Sequence, residues 1–257
     1  MKKNLLFCLM ILIIVLSCKR LDPPVSNNNT DSNSTDSLFQ QDAILMDIDS
    51  NLYATISYYI NDSIYYQTWM QKNLTVSHYR NGDSIPEVSD SATWANLTTG
   101  AWCWYNNDSA TYASTYGKLY NWYAVNDSRG LAPEGWEIPI KSTWDSLVKF
   151  IDNTTDTTQG SVNYGVSAGG PMKQTGTSLW RNPNRGASNT SGFTGLPGGC
   201  RSETASYSDN RVYGAWWSKT EYSNDYAWFV FLGYDYLQVG RSNNFKKRGF
   251  SVRCVKR

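Results

Sequence analysis

Only one histidine, His78, occurs in the 257 residues of the chain. Ser-His-Asp and Cys-His centres need histidine to carry protons, and His-rich metal sites need several, so these classes have almost no material here and no enzyme is expected. Charge of one sign is also missing, since 23 Lys+Arg stand against 22 Asp+Glu. Phosphate backbones call for a basic surplus gathered on one face, so no nucleic-acid partner is expected. The N-terminal apolar run, residues 5–16, is 12 residues long, whereas a membrane-spanning helix needs about 20.

What is present begins with targeting. Lys2 and Lys3 precede the apolar run, which is the layout of a signal peptide rather than of a fold element. Val15-Leu16-Ser17-Cys18 resembles the bacterial lipobox, implying cleavage after residue 17 and acylation of Cys18. An ordinary secretory signal and a short uncleaved anchor are the alternatives. Every residue from 26 to 37 is Ser, Asn, Thr or Asp, a composition that buries too little apolar surface to offset the entropy of ordering. Residues 18–43 are therefore expected to form a flexible tether that presents a domain of residues 44–257 from the membrane.

Within that domain, aromatic and β-branched runs alternate with Asn-Asp, Asn-Gly and Gly-Gly turn signals, which predicts many short strands. Residues 53–59 and 64–70 flank Asn61-Asp62-Ser63 and read as a β-hairpin. Helices are predicted over 116–125 and about 143–151. In the second, Trp144, Leu147, Val148 and Ile151 follow the i, i+3, i+4, i+7 pattern, with Ser142 and Asp145 as a capping box. Strand-like runs follow at 215–218, 226–232, 236–239 and 249–255. The fold class expected is α+β, in one domain.

Several motifs, in order, resemble one family. They include Tyr79-Arg80-Asn81-Gly82-Asp83-Ser84-Ile85-Pro86, Tyr116-Gly117-Lys118-Leu119-Tyr120-Asn121-Trp122-Tyr123-Ala124-Val125 and Leu131-Ala132-Pro133-Glu134-Gly135-Trp136. Further along come Leu196-Pro197-Gly198-Gly199, Trp216-Trp217-Ser218 and Gly249-Phe250-Ser251-Val252-Arg253-Cys254-Val255. Residues 45–257 are similar to the Fibrobacter succinogenes major paralogous domain. The resemblance implies a C-type-lectin-like fold like that of formylglycine-generating enzymes, with short twisted antiparallel strands, two helices and long loops. It also implies a bacterial cell-envelope lipoprotein, lipid-anchored at the outer membrane. The chain departs from the family pattern at Glu137, Ile140 and Thr143, and at Cys200, which follows Leu-Pro-Gly-Gly where an aromatic residue is usual.

The same resemblance implies a disulfide between Cys103 and Cys254, positions where the family commonly has cysteine; three buried free thiols are the alternative. No catalytic residue carries over, because the closely spaced copper-binding cysteines of the formylglycine-generating enzymes have no counterpart. No cofactor is expected. A structural calcium ion in the acidic loops 152–156 or 106–108 is a secondary expectation beside Asx turns. Asp-Ser-apolar triplets such as Asp83-Ser84-Ile85 and Asp90-Ser91-Ala92 resemble an O-glycosylation sequon.

Between residues 216 and 241 aromatic residues crowd into strand and turn units. Exposed Tyr and Trp serve binding surfaces, since each offers a rigid apolar face with a polar handle. The expected function is a non-catalytic recognition module that binds a glycan or a protein. Trp217, Tyr222, Tyr226, Tyr234, Tyr236 and Arg241 are the candidate ligand-binding residues, and the tyrosines and Arg241 are expected on one exposed face. Trp216, Trp228, Phe231 and Val252 are expected in the core. A structural or fimbria-tip component is the competing expectation, and a degenerate enzyme the third.

Overall fold

The computed structural model describes residues 39–41, 44–60, 64–158 and 164–256. The signal segment 1–17, Cys18 and the tether up to residue 38 lie outside the described residues. The strands are β1 (Phe39–Gln41), β2 (Leu45–Met46), β3 (Leu52–Tyr53), β4 (Thr55–Ile60), β5 (Ile64–Met70), β6 (Trp102–Cys103) and β7 (Leu119–Tyr120). They continue as β8 (Trp136–Glu137), β9 (Gly198–Arg201), β10 (Tyr207–Asn210), β11 (Tyr213–Glu221), β12 (Tyr226–Gly233), β13 (Val239–Phe245) and β14 (Val255–Lys256). Interspersed are α1 (Ser91–Ala95), α2 (Ser109–Tyr116), α3 (Trp122–Val125), α4 (Lys141–Ile151) and α5 (Gly169–Met172). The class is α+β, as expected. Among the described residues the ladders between these strands are antiparallel, single bridges such as Trp216 with Ser251 being parallel, and the main sheet runs in the order β1-β4-β5-β14-β8. β1 falls inside the stretch read as tether, pairing Phe39 with Tyr58 and Gln41 with Ile56.

The predicted hairpin is β4-β5, closed by Ile60 opposite Ile64. The first predicted helix, 116–125, is instead split. Asp108 accepts a 3.0 Å bond from the Thr111 N–H to start α2, and Gly117 at φ +72° ends it. Asn121 then starts α3 by accepting from Ala124 N–H at 3.1 Å. Between the two, Tyr120 N–H donates to Phe250 O, a distant partner that local sequence does not announce. The second predicted helix is α4, two residues longer at its start, with Trp144, Leu147 and Val148 buried as their spacing predicts. Its expected cap fails. Ile140 is the N-cap, and the Lys141 N–H is satisfied from outside by Thr220 Oγ1 at 2.8 Å. Asp145 is thereby left for another partner.

The final run, expected as one strand over 249–255, forms β14 only at its end. The rest pairs through single bridges, Phe250 with Tyr120 and Ser251 with Trp216. It stitches the parts together: Met70 N–H donates to Cys254 O and Leu74 N–H to Val252 O. These bonds take the place of the expected disulfide. Cys103, Cys200 and Cys254 are all buried free thiols, and Cys103 and Cys254 belong to separate hydrophobic clusters.

The interior is built largely from rings. Trp69, Trp144, Phe193 and Trp216 form a chain of contacts, with centroids 4.6, 5.9 and 5.6 Å apart in turn. Several cations are buried beside such rings and satisfied by carbonyls rather than by acids. Lys173 Nζ donates to the carbonyls of Arg185, Gly233 and Tyr236 at 2.7–2.9 Å. Arg201 binds the carbonyls of Val88 and Ser89 at 2.6 and 2.8 Å. These side chains hold loops that have no regular hydrogen bonding of their own.

Candidate functional site

The aromatic segment forms a three-stranded sheet, β11-β12-β13, in which Trp216 faces Val230 and Trp217 faces Phe229. Successive side chains alternate between faces. Trp216, Val230 and Leu232 pack into the cluster with Trp144 and Leu147 of α4; Trp217, Ala215 and Ala227 pack into the cluster with Phe250 and Val252. Both faces are thus covered. This corrects the expectation for Trp217, which is 0% exposed. Trp216 and Val252 are core as expected, whereas Trp228 and Phe231 are only half-buried.

The candidate tyrosines do not share one face. Tyr222 and Tyr226 lie at the β11-β12 turn, where Tyr222 (55% exposed) meets Trp228 edge-on at 5.3 Å and Tyr226 covers Phe245 at 4.4 Å. Tyr234 and Tyr236 (40% exposed) lie at the β12-β13 turn, near Arg181 and Tyr213 respectively. β12, with 8 residues, separates the two turns by about 26 Å at the usual rise per residue. Arg241 is a further correction: it is 1% exposed and bonds Asp145 of α4. Gly240 and Ser242 beside it suggest an exposed turn, but α4 closes over that face.

One opening remains on the Trp217 side of the sheet. It is a cavity of about 220 Å³ lined by Tyr213, Phe229, Phe231, Phe250 and Cys200, with Asp209, Asn244 and Arg248 among the polar groups at its border. Phe229 stacks on Phe250 at 4.7 Å and on Phe231 at 5.6 Å. Gly240 keeps the Phe231 ring in place, because a Cβ there would come within 2.1 Å of it. Gly199, at φ +67°, lets the Leu-Pro-Gly-Gly turn pass close to β10; a Cβ would lie 2.5 Å from Ser208 O. Cys200 therefore sits at the cavity wall, and burial pushes its thiol up to about 11. Tyr213 is raised to about 12 by its hydrogen bond with Tyr236 and by burial, so both groups are neutral at physiological pH.

None of the cavity residues is among the candidate ligand-binding residues read from the sequence. The Phe229/Phe231 alternation was a usable signal; Cys200, Phe250 and Arg248 reach the cavity only through folding.

The acidic loops spend their carboxylates on local bonds. Asp152 accepts from Thr154 Oγ1 at 2.6 Å and from Ser167 N–H at 2.9 Å, and Asp156 accepts from Thr158 N–H at 2.9 Å. Among the described residues no group of three or more His, Cys, Asp or Glu is arranged to hold a metal ion. No helix among them is long and apolar enough to cross a membrane.

The molecule is thus an α+β domain of short antiparallel strands with an aromatic cavity on its C-terminal sheet. Residues 63–256 match the family model described as the Fibrobacter succinogenes major domain, and the chain belongs to that family. Comparison with curated proteins and with solved structures finds no match.

Proposed function

We propose that the protein is a lipid-anchored envelope lipoprotein whose head is a non-catalytic recognition module for a protein partner. The cavity on β11-β13 carries this reading. At about 220 Å³ it is smaller than an ordinary small-molecule site, but it suits one aromatic or aliphatic side chain. A floor of three phenylalanines suits an inserted apolar anchor, and Asp209, Asn244 and Arg248 at the border suit the backbone around it. Among the described residues the thiols are held protonated, burial raising Cys103 to about 11 and Cys254 further.

The lectin-like arrangement belongs to the same reading. The last strand, β14, lies between β5 and β8, close in the sheet to the first strands of the domain. Among the described residues of 152–197, the one helix is the four-residue α5.

The test is selection of displayed peptides on the full chain in detergent. Selected peptides are expected to share an aromatic or aliphatic anchor and to lose about tenfold or more in affinity against Phe231→Ala. Binding that ignores Phe231 would reject the cavity as the site.

The anchor is tested separately. Mass spectrometry of the cell-derived protein is expected to find an acylated N-terminal Cys18, and Cys18→Ser to release the protein from membranes. A mature chain with unmodified Cys18 would end the lipoprotein reading.

A further inference from the structure

A second and larger opening, of about 580 Å³, lies away from the aromatic sheet, between the β2-β3 hairpin and α2. This volume falls within the usual range for small-ligand sites. Its lining differs in kind, combining the indole of Trp104 with hydroxyl and amide groups of Asn51, Thr75, Ser77 and Thr115, and with Lys118.

Lys118 is the unusual member. It is 3% exposed, yet it borders the cavity. Its Nζ donates to Ser77 Oγ and lies 3.6 Å from the Trp102 ring centre and 5.4 Å from that of Trp104. Among the described residues no carboxylate lies within ion-pair distance of it. Asp49, the acid nearest in role, has both oxygens engaged, Oδ2 by the Ser77 N–H and Oδ1 by His78 Nδ1 at 2.6 Å. Asp47 is likewise committed to Asn51 and to the Tyr53 hydroxyl at 2.6 Å. Unlike Lys173, whose ammonium meets three carbonyls, Lys118 has one acceptor among the described residues, the Ser77 hydroxyl, so a ligand carboxylate can take up its remaining donors.

Trp104 supplies the other half. It is half-buried and held edge-on against Trp102 at 5.3 Å, a fixed platform for an apolar ring face. We propose that this cleft binds an acidic sugar, with the carboxylate on Lys118, the ring face on Trp104 and the ring hydroxyls on the surrounding Ser, Thr and Asn side chains. Exposed Lys72 at the border adds positive charge on the approach.

The charge state fits this role. Burial lowers the Lys118 ammonium to about 8, with Asp49, Glu87 and Asp47 pulling the other way, so it is mostly charged at neutral pH. An anion bound to it favours the protonated form, and affinity must therefore fall as the pH rises above that value.

The experiment titrates the full chain in detergent with uronate oligosaccharides, namely oligomers of glucuronate, galacturonate and mannuronate. Their methyl esters serve as neutral counterparts of the same shape. At least one acid oligomer is expected to bind and shift the Trp104 indole N–H resonance, with its ester at least about tenfold weaker. Between pH 7.5 and 9.5 the affinity of the wild-type chain should drop by on the order of tenfold. Lys118→Met, which keeps the stem against Trp102, should abolish binding, and Trp104→Ala should weaken it about tenfold. Phe231→Ala should change nothing, which separates this site from the peptide-binding cavity. Equal binding of acid and ester, no binding by any acid oligomer, or full affinity in Trp104→Ala would overturn the proposal. If Lys118→Met does not fold, the pH series and Trp104→Ala still decide.

Discussion

Arg241→Met is expected to lower the unfolding free energy by about 3–5 kcal/mol, the cost of leaving one member of a buried ion pair without its partner. Arg241 of β13 reaches Asp145 of α4, and both are buried. Tyr164 and Trp228 flank the guanidinium with ring centres 4.4 and 5.7 Å away, so the cation sits in an aromatic slot rather than in water. Lys141 Nζ, 2.9 Å from Asp145 Oδ2, keeps one partner for the carboxylate and moderates the loss. Removing both charges, in Arg241→Met with Asp145→Leu, should recover most of it. Urea unfolding of the wild-type, single and double variants measures this. A single variant as stable as wild type would mean that the pair does not hold α4 to the sheet. Peptide binding should persist in the folded fraction of each, because Arg241 lies on the face opposite the cavity.

Asn73→Leu is the second large change. Its Oδ1 accepts from Trp216 Nε1 at 2.8 Å and from Arg253 Nη2 at 3.1 Å; its Nδ2 donates to Tyr116 O at 2.8 Å and to Ser251 Oγ at 3.1 Å. One amide thus joins four segments that are far apart in sequence. Leucine keeps the branched outline of the side chain, although it is larger, and leaves these buried groups without their shared partner, each omission being worth about 1–3 kcal/mol and not fully additive. A total loss of about 3–5 kcal/mol is expected, with the Trp216 indole N–H losing its protection from hydrogen exchange. Arg253 keeps the Phe193 and Thr194 carbonyls, which limits the damage. A loss under about 1 kcal/mol would show that water replaces the amide and that the network is not needed.

The hairpin β4-β5 was legible because alternating β-branched and aromatic residues flank a turn signal. α4 was legible because its apolar spacing fits one helical face. The split of 116–125 was not legible: the intervening strand exists because Trp102 and Cys103 of β6 pair with it and Phe250, far along the chain, bridges to Tyr120. For the candidate site, the sequence placed the aromatic segment on strands, as found, and misassigned the exposure of several of its members. Tyr222 and Tyr236 are exposed as expected, but the length of β12 holds them apart.

By itself the sequence determined the α+β class, the hairpin, the amphipathic helix and the family, since these rest on local periodicity and on ordered motifs. Which aromatic residues are surface and which are core was decided only by tertiary structure. Period-two alternation shows that Trp216 and Trp217 point to opposite sides of a strand, but not that both sides are covered. Arg241 stands among small polar residues and is nonetheless buried, because Asp145 arrives from 96 positions away. Lys118 carries a motif position in the sequence, and only the folded hairpin and α2 give it a cavity to face. Burial and pairing of charge depend on contacts between distant segments, which no local pattern encodes.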